Sequence, residues 1–312
     1  MSAYTRRQLL VYCTLTAAVT VIAGGIFAET AYQPVRETVV SWIRGDDSPP
    51  APAATPRPRS ADLRDSTTLA VLSRRSQEIM EARESQLGVD KQKELMSLWH
   101  ELRIWQNLWY LGIRIQKNPM DTWMMQQVIY DVQPDFIIET GTAYGGSALL
   151  WAHVLNGLGL EDSRVLTIDI TDYNQQAAEQ PLWQKHVQFF HGSSTDPEIV
   201  SQIGEMVAGK KVLVALDSNH AGEHVLDELR AYGPMVSPGS YIVAEDTNLD
   251  ALPLREELAH LDGGYGPMWA VLQFLDEEDG QQFEQDLTRE NFVLTFNPGG
   301  WLKRKTSTGS GQ

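Results

Sequence analysis

From residue 133 onward short apolar runs alternate with helical stretches, and this alternation constrains the fold more than any other feature of the chain. The runs are 135–140 (DFIIET), 165–169 (VLTID), 187–191 (VQFFH), 212–217 (VLVALD) and 241–246 (YIVAED). Helices are expected over 147–156, 198–207, 223–235 and 267–276. Strands that are apolar along most of their length are those covered on both faces, and repeated β-α units run them parallel. Two further runs, 292–296 and 301–305, straddle Asn297-Pro298-Gly299-Gly300 and read as a closing antiparallel hairpin. The expected fold class is α/β: a Rossmann-like sheet of seven strands with helices on both faces, preceded by N-terminal helices.

Residues 9–28 (LLVYCTLTAAVTVIAGGIFA) carry no charge. Twenty residues in a helix span roughly 30 Å, the thickness of a bilayer core. The expectation is a single-pass transmembrane anchor with the folded body on the cytosolic side. A cleaved signal peptide with export, or a buried or interfacial helix, stays as an alternative. Arg6 and Arg7 precede the segment and Arg36 and Arg44 follow it, so positive charge barely biases its orientation. Proline-rich sequence (GDDSPPAPAATPRPRSA) lies just downstream and reads as a semi-rigid spacer. The expected organisation is a tail at 1–8, the anchor at 9–28, a juxtamembrane and Pro-rich linker at 29–61, a helical extension at 62–118, the catalytic domain at 119–306 and a flexible tail at 307–312. Within the extension Leu95, Leu98, Leu102, Trp105 and Trp109 recur at spacings that fall on one helical stripe. That stripe is expected to pack on the domain core, the alternatives being a lid, a dimer face or a membrane contact.

Charge narrows the partners. Residues 1–90 are neutral, with ten basic and ten acidic side chains, so the net −16 comes entirely from residues 91–312, where fifteen basic face thirty-one acidic. A body this acidic repels phosphate backbones, which argues against a nucleic-acid partner. The one cysteine, Cys13, rules out multi-cysteine metal sites, leaving oxygen and imidazole as metal ligands.

Ligands of an open α/β sheet bind beyond the carboxyl ends of its strands, so the residues ending each strand are the candidate site. The first strand leads into Glu139-Thr140-Gly141-Thr142-Ala143-Tyr144-Gly145-Gly146-Ser147, a glycine-rich turn before a helix. Its spacing is not GxGxxG, since position 143 is alanine, and an acidic residue before the glycines suits a cationic ligand such as S-adenosylmethionine. Asp169 ends the second strand, where a carboxylate can accept both hydroxyls of a ribose. Gly192-Ser193-Ser194-Thr195-Asp196 after the third can line an adenine pocket, and Asp196 before Pro197 is equally a helix cap. The fourth and fifth strands end in Asp217-Ser218-Asn219-His220 and Glu245-Asp246. If these strands are neighbours, Asp217, Glu245 and Asp246 converge, and three close carboxylates call for a hard divalent cation, Mg2+ above others. His220 is the candidate general base. His224 is expected at a surface helix position, and Lys210 and Lys211 as solvated charges at the far end of the sheet.

These residues resemble the cephalosporin hydroxylase and rhamnosyl O-methyltransferase family. The likeness covers Lys117-Asn-Pro-Met-Asp121-Thr-Trp123, Pro134-Asp135-Phe-Ile-Ile-Glu139-Thr-Gly141 with Gly145-Gly146-Ser147, Leu216-Asp217-Ser-Asn-His220 with His224, and Gly239-Ser-Tyr-Ile-Val-Ala-Glu245-Asp246-Thr247. The closing hairpin likewise suits the seven-stranded methyltransferase sheet. The resemblance implies S-adenosylmethionine beside Glu139, Gly141, Gly145, Ser147, Asp169 and Asp196, with Tyr144, Gly146 and Ser194 in the same loops. It also implies Mg2+ on Asp217, Glu245 and Asp246. The expected activity is Mg-assisted O-methylation of a hydroxyl on a sugar, glycolipid or small secondary metabolite, with Asp217 and His220 catalytic. A nicotinamide-dependent oxidoreductase and a membrane-tethered, non-catalytic binding protein of the same fold remain as alternatives, and a homo-oligomer stays open.

Overall fold

Successive side chains of a strand point to opposite faces, so an all-apolar strand needs a helical layer on each side. The computed structural model describes residues 86–250, 265–292 and 294–306. Helix α1 (Gln86–Glu101) leads through a 3-10 turn (Ile104–Asn107) to a small antiparallel hairpin, β1 (Trp109–Tyr110) with β2 (Ile113–Arg114). Helix α2 (Pro119–Val132) starts cleanly: Pro119 supplies a preset φ, and the Asn118 side chain accepts the Met120 amide at 3.1 Å. Then follow β3 (Phe136–Thr140), α3 (Gly146–Gly157), β4 (Arg164–Asp169), α4 (Gln175–Ala178), α5 (Pro181–His186) and β5 (Val187–His191). The second half holds α6 (Pro197–Val207), β6 (Val212–Leu216), α7 (Gly222–Tyr232), β7 (Tyr241–Ala244), α8 (Pro267–Asp276), β8 (Phe283–Gln285) and β9 (Trp301–Arg304).

The seven strands β3 to β9 make one sheet in the order β5-β4-β3-β6-β7-β9-β8. The first five are parallel to their neighbours, and β9 runs antiparallel to both β7 and β8. Strand order therefore reverses between β3 and β6, the place where such sheets leave a crevice. The alternation along β6 shows the two-sided core. Val212, Val214 and Leu216 meet Ile203, Leu229 and Phe274 on one face, while Leu213 and Ala215 meet Val128 and Trp151 on the other.

Three expectations are corrected here. The C-terminal hairpin pairs β9 with β8, not with 292–296. The reason is visible at Asp121, whose carboxylate accepts the Phe296 amide at 2.8 Å and the Thr295 hydroxyl at 2.7 Å, while the Leu294 amide turns back to the Phe292 carbonyl at 2.7 Å, so these donors do not enter a ladder. The leucine stripe does not face the core. Helix α1 ends at Glu101, Arg103 takes φ 49°, and the buried contact is Met96 and Trp99 against Leu294 and Phe296. Leu95, Leu98 and Leu102 are 45%, 47% and 60% exposed. The membrane location is also withdrawn: among the described residues no helix is long and apolar enough to cross a membrane. The anchor at 9–28, like the tail at 1–8, the linker at 29–61, the extension before 86 and the tail at 307–312, lies outside the described residues.

Asp121 therefore ties α2 to a segment 175 positions away. Burial pushes its carboxyl up to about 6, against the lowering effect of the donors from Thr295, Phe296 and Asn118. Asp121→Ala leaves those donors without an acceptor and should cost ~1–3 kcal/mol in urea unfolding. A loss below a few tenths of that would show that water replaces the carboxylate.

Candidate active site

A cavity of about 740 Å³ opens at the carboxyl ends of the parallel strands, lined from Gly141 after β3, Asp169 after β4, Ser194 after β5, Asp217 after β6 and Asp246 after β7. Backbones crowd at its floor. Gly141 has φ +86°, and a Cβ there would fall 1.9 Å from the Asp217 carbonyl oxygen, so only glycine lets β3 and β6 end side by side. Asp169 fixes the turn above: one carboxylate oxygen accepts the Ala143 amide at 2.7 Å, the other the Thr171 amide and hydroxyl at 2.8 and 2.9 Å. The oxygen that takes only the Ala143 amide keeps a lone pair for a ligand hydroxyl. Tyr144 and Ser147 also line this end, and Arg114 lies over the Tyr144 ring at 4.9 Å.

Other expected ligand contacts sit elsewhere. Glu139 is fully buried behind the cavity, accepting Trp151 Nε1 at 3.0 Å and Thr167 Oγ1 at 2.7 Å, and burial raises its pKa while Lys117 opposes the rise. It braces the turn from within. Gly145 and Gly146 are packing positions, where a Cβ would meet Trp183 at 2.7 Å and the Arg114 carbonyl at 2.3 Å. Asp196 accepts the Glu198 amide at 2.8 Å and caps α6, outside the cavity lining.

At the other end the acidic side chains do converge, but with a cation among them that sequence reasoning missed. Lys117 Nζ lies 2.6 Å from Asp217 Oδ2 and 2.7 Å from Glu245 Oε1, with its side chain 5% exposed. Burial alone would lower the lysine pKa, yet Asp217 and Glu245 outweigh it and the net shift is upward. Burial drives Glu245 well above the ordinary carboxylate range despite Lys117, and it raises Asp246 despite His220. His220 Nε2 is 3.3 Å from Asp246 Oδ2 and 3.9 Å from Asp217 Oδ1. Asp217, His220 and Asp246 each offer an atom within 4.8 Å of the others, while side chains 20–29% exposed keep all three open to the cavity. The oxygens of Asp217 and Asp246 are hard donors that fit a divalent ion such as Mg2+, with the His220 imidazole at their edge and Glu245 drawn toward Lys117. Asp246 is held at φ 57° by its amide, which donates to Asn297 Oδ1 at 2.9 Å.

His224 is not a surface residue. Its Nε2 is 3.1 Å from Ser194 Oγ, 3.2 Å from Ser218 Oγ and 3.4 Å from Glu228 Oε1, and it lines the cavity. Glu228 is fully buried and also accepts both serine hydroxyls. The i, i+4 spacing of His224 and Glu228 was the available signal, legible once α7 is known to turn this face inward.

Two outcomes follow from these contacts. Asp196→Ala should cost ~1 kcal/mol of stability as a lost cap, and leave S-adenosylmethionine affinity unchanged in calorimetry. A weakened affinity would return Asp196 to the ligand site. The Glu228 hydrogen bond, its largest influence, raises the His224 pKa. The stability this pair contributes is therefore full below about pH 6.5 and lost as pH rises through the higher folded value. Unfolding curves of wild type and Glu228→Gln should converge as pH rises, and a constant gap would mean that His224 is not held charged.

The rhamnosyl O-methyltransferase/CmcI family model matches residues 102–305. The rhamnosyl O-methyltransferase of Mycobacterium tuberculosis (strain H37Rv) is 34% identical over 207 residues, covering 64% of this chain and 80% of the relative. That of Mycobacterium leprae (strain TN) is 33% identical over 206 residues, covering 65% and 85%. Among solved structures, CmcI with Mg and SAM is 16% identical, with a TM-score of 0.48 over 64% of this chain and 78% of that one. The family match spans most of the chain, including every strand end around the cavity, and the chain belongs to the rhamnosyl O-methyltransferase/CmcI family.

Proposed function

We propose that the protein methylates a hydroxyl group of a sugar-bearing acceptor, using S-adenosylmethionine and Mg2+. The observation that carries this reading is the grouping of Asp217, His220 and Asp246 on one wall of a cavity whose other wall ends in Asp169. Family membership supports the methyl transfer, and the rhamnosyl relatives support a sugar as acceptor. When bound, S-adenosylmethionine supplies an electrophilic methyl group and Mg2+ supplies charge that favours a deprotonated oxygen.

The chain's own residues do the rest. Asp169 would accept a hydroxyl of the cofactor, with Tyr144, Ser147 and Ser194 beside it in the cavity wall. Asp217 and Asp246 would hold the ion, with Glu245 beside them paired to Lys117. His220 takes the proton of the acceptor hydroxyl at Nε2, the atom that faces the two carboxylates. His100 and Phe296, stacked on one another, and Trp105 line the same cavity and give it an aromatic wall for an acceptor ring.

Asp217→Asn and Asp246→Asn should each weaken Mg2+ binding by at least ~10–100-fold, the range seen even for groups one shell out, while S-adenosylmethionine still binds. Full methyl transfer in EDTA would remove the ion from the reaction, and calorimetric binding of NAD in place of S-adenosylmethionine would overturn the reading as a whole. His220→Ala should lower turnover ~10²–10⁴-fold with Mg2+ affinity retained. If Mg2+ affinity is lost instead, His220 is a ligand and not the base.

A further inference from the structure

The acidic wall has three carboxylates, and a buried lysine already touches two of them. Lys117 reaches them from the protein side. It borders the main cavity and also a void of only about 10 Å³ behind it, lined by Met125, Trp151, Trp301 and Glu245. That void scarcely holds one water, so the ammonium has the carboxylates as its charge partners. Its backbone cannot drift away, because the next residue, Asn118, caps α2 and donates to Asp121 at 2.8 Å. With all three ionised, as a bound divalent ion would favour, Asp217, Glu245 and Asp246 carry three negative charges against one positive on Lys117, which leaves two for a single divalent ion.

Resting on the magnesium site proposed above, the geometry points to Lys117 as the fixed first cation of that site. It takes Glu245 Oε1 and Asp217 Oδ2, and leaves Asp217 Oδ1 and Asp246 Oδ2, which face His220, to one exchangeable ion. Lys117 thereby does two things. It keeps the ion-free protein folded by neutralising carboxylates that would otherwise repel one another, and it holds Mg2+ affinity down by standing close to the incoming ion. It is a positioning residue: it touches the ligands and not the acceptor.

Lys117→Met keeps an unbranched chain and removes the charge, and Lys117→Gln does so with a polar end. Calorimetric Mg2+ titration of the full chain should show both variants binding at least ~10-fold tighter than wild type, as expected when a like charge a few Å away is removed. Thermal unfolding should show them less stable than wild type without ion and gaining more on addition of millimolar Mg2+. Lys117→Arg, which keeps the charge, should retain the weaker affinity. A Lys117→Met chain that folds only when Mg2+ is present counts the same way. Unchanged or weaker affinity in the neutral variants, or failure to fold at any Mg2+ concentration, overturns the role of Lys117. The two readings fail separately. Wild type that binds Mg2+ with neutral variants that bind it equally well sinks only Lys117, whereas Mg2+ binding by the variants alone sinks the magnesium site and leaves Lys117 as the resident cation. Binding by neither sinks both.

Discussion

Bringing negative charge to the ends of adjacent parallel strands is the constraint around which this molecule is built. The register that pairs Leu216 with Ala244 sets the next residues, Asp217 and Glu245, side by side at the crevice. Carboxylates that close, and largely out of water, are tolerable only if cations stand among them. The protein supplies Lys117 from below, and the His220 imidazole reaches the same carboxylates from the rim. Strand β6, apolar and buried along its whole length, keeps this arrangement rigid against the repulsion.

The two ends of the cavity are held by different means. At the Asp169 end a carboxylate organises backbone amides, so that the turn after β3 is shaped by side-chain to main-chain bonds. At the Asp246 end the left-handed residue hangs from Asn297, which sits beside the Thr295–Phe296 stretch clamped by Asp121. Between them, Ser194, Ser218, His224 and Glu228 form a polar knot that joins the loops after β5 and β6 to helix α7.

Much of this was legible in the sequence because it follows from period and position. The five parallel strands are apolar runs of the right length, and the residues ending them had to meet beyond the sheet. Asp217 and Asp246 were found that way, and Asp169 as well. Lys117 was not, because a lone lysine before Asn-Pro carries no periodic signal, and its meaning depends on which carboxylates lie under it. The hairpin misleads for a related reason: 292–296 has strand-like composition, but the Phe296 amide and the Thr295 hydroxyl are claimed by Asp121 from another part of the chain. The α1 stripe misled because helical spacing shows that residues share a face, not that the face is covered; Met96 and Trp99 are the ones that meet the body. His224 was placed outside because polar residues on a helix are usually wet, and the buried Glu228 one turn on reverses that rule.

The chain of contacts from Asp121 through Phe296 and Asn297 to Asp246 has a consequence for how the enzyme comes into being. Asn297 lies 51 residues beyond Asp246 and past all five parallel strands, so on the ribosome the turn after β7 gains its anchor only once the C-terminal segment leading into β9 has been made.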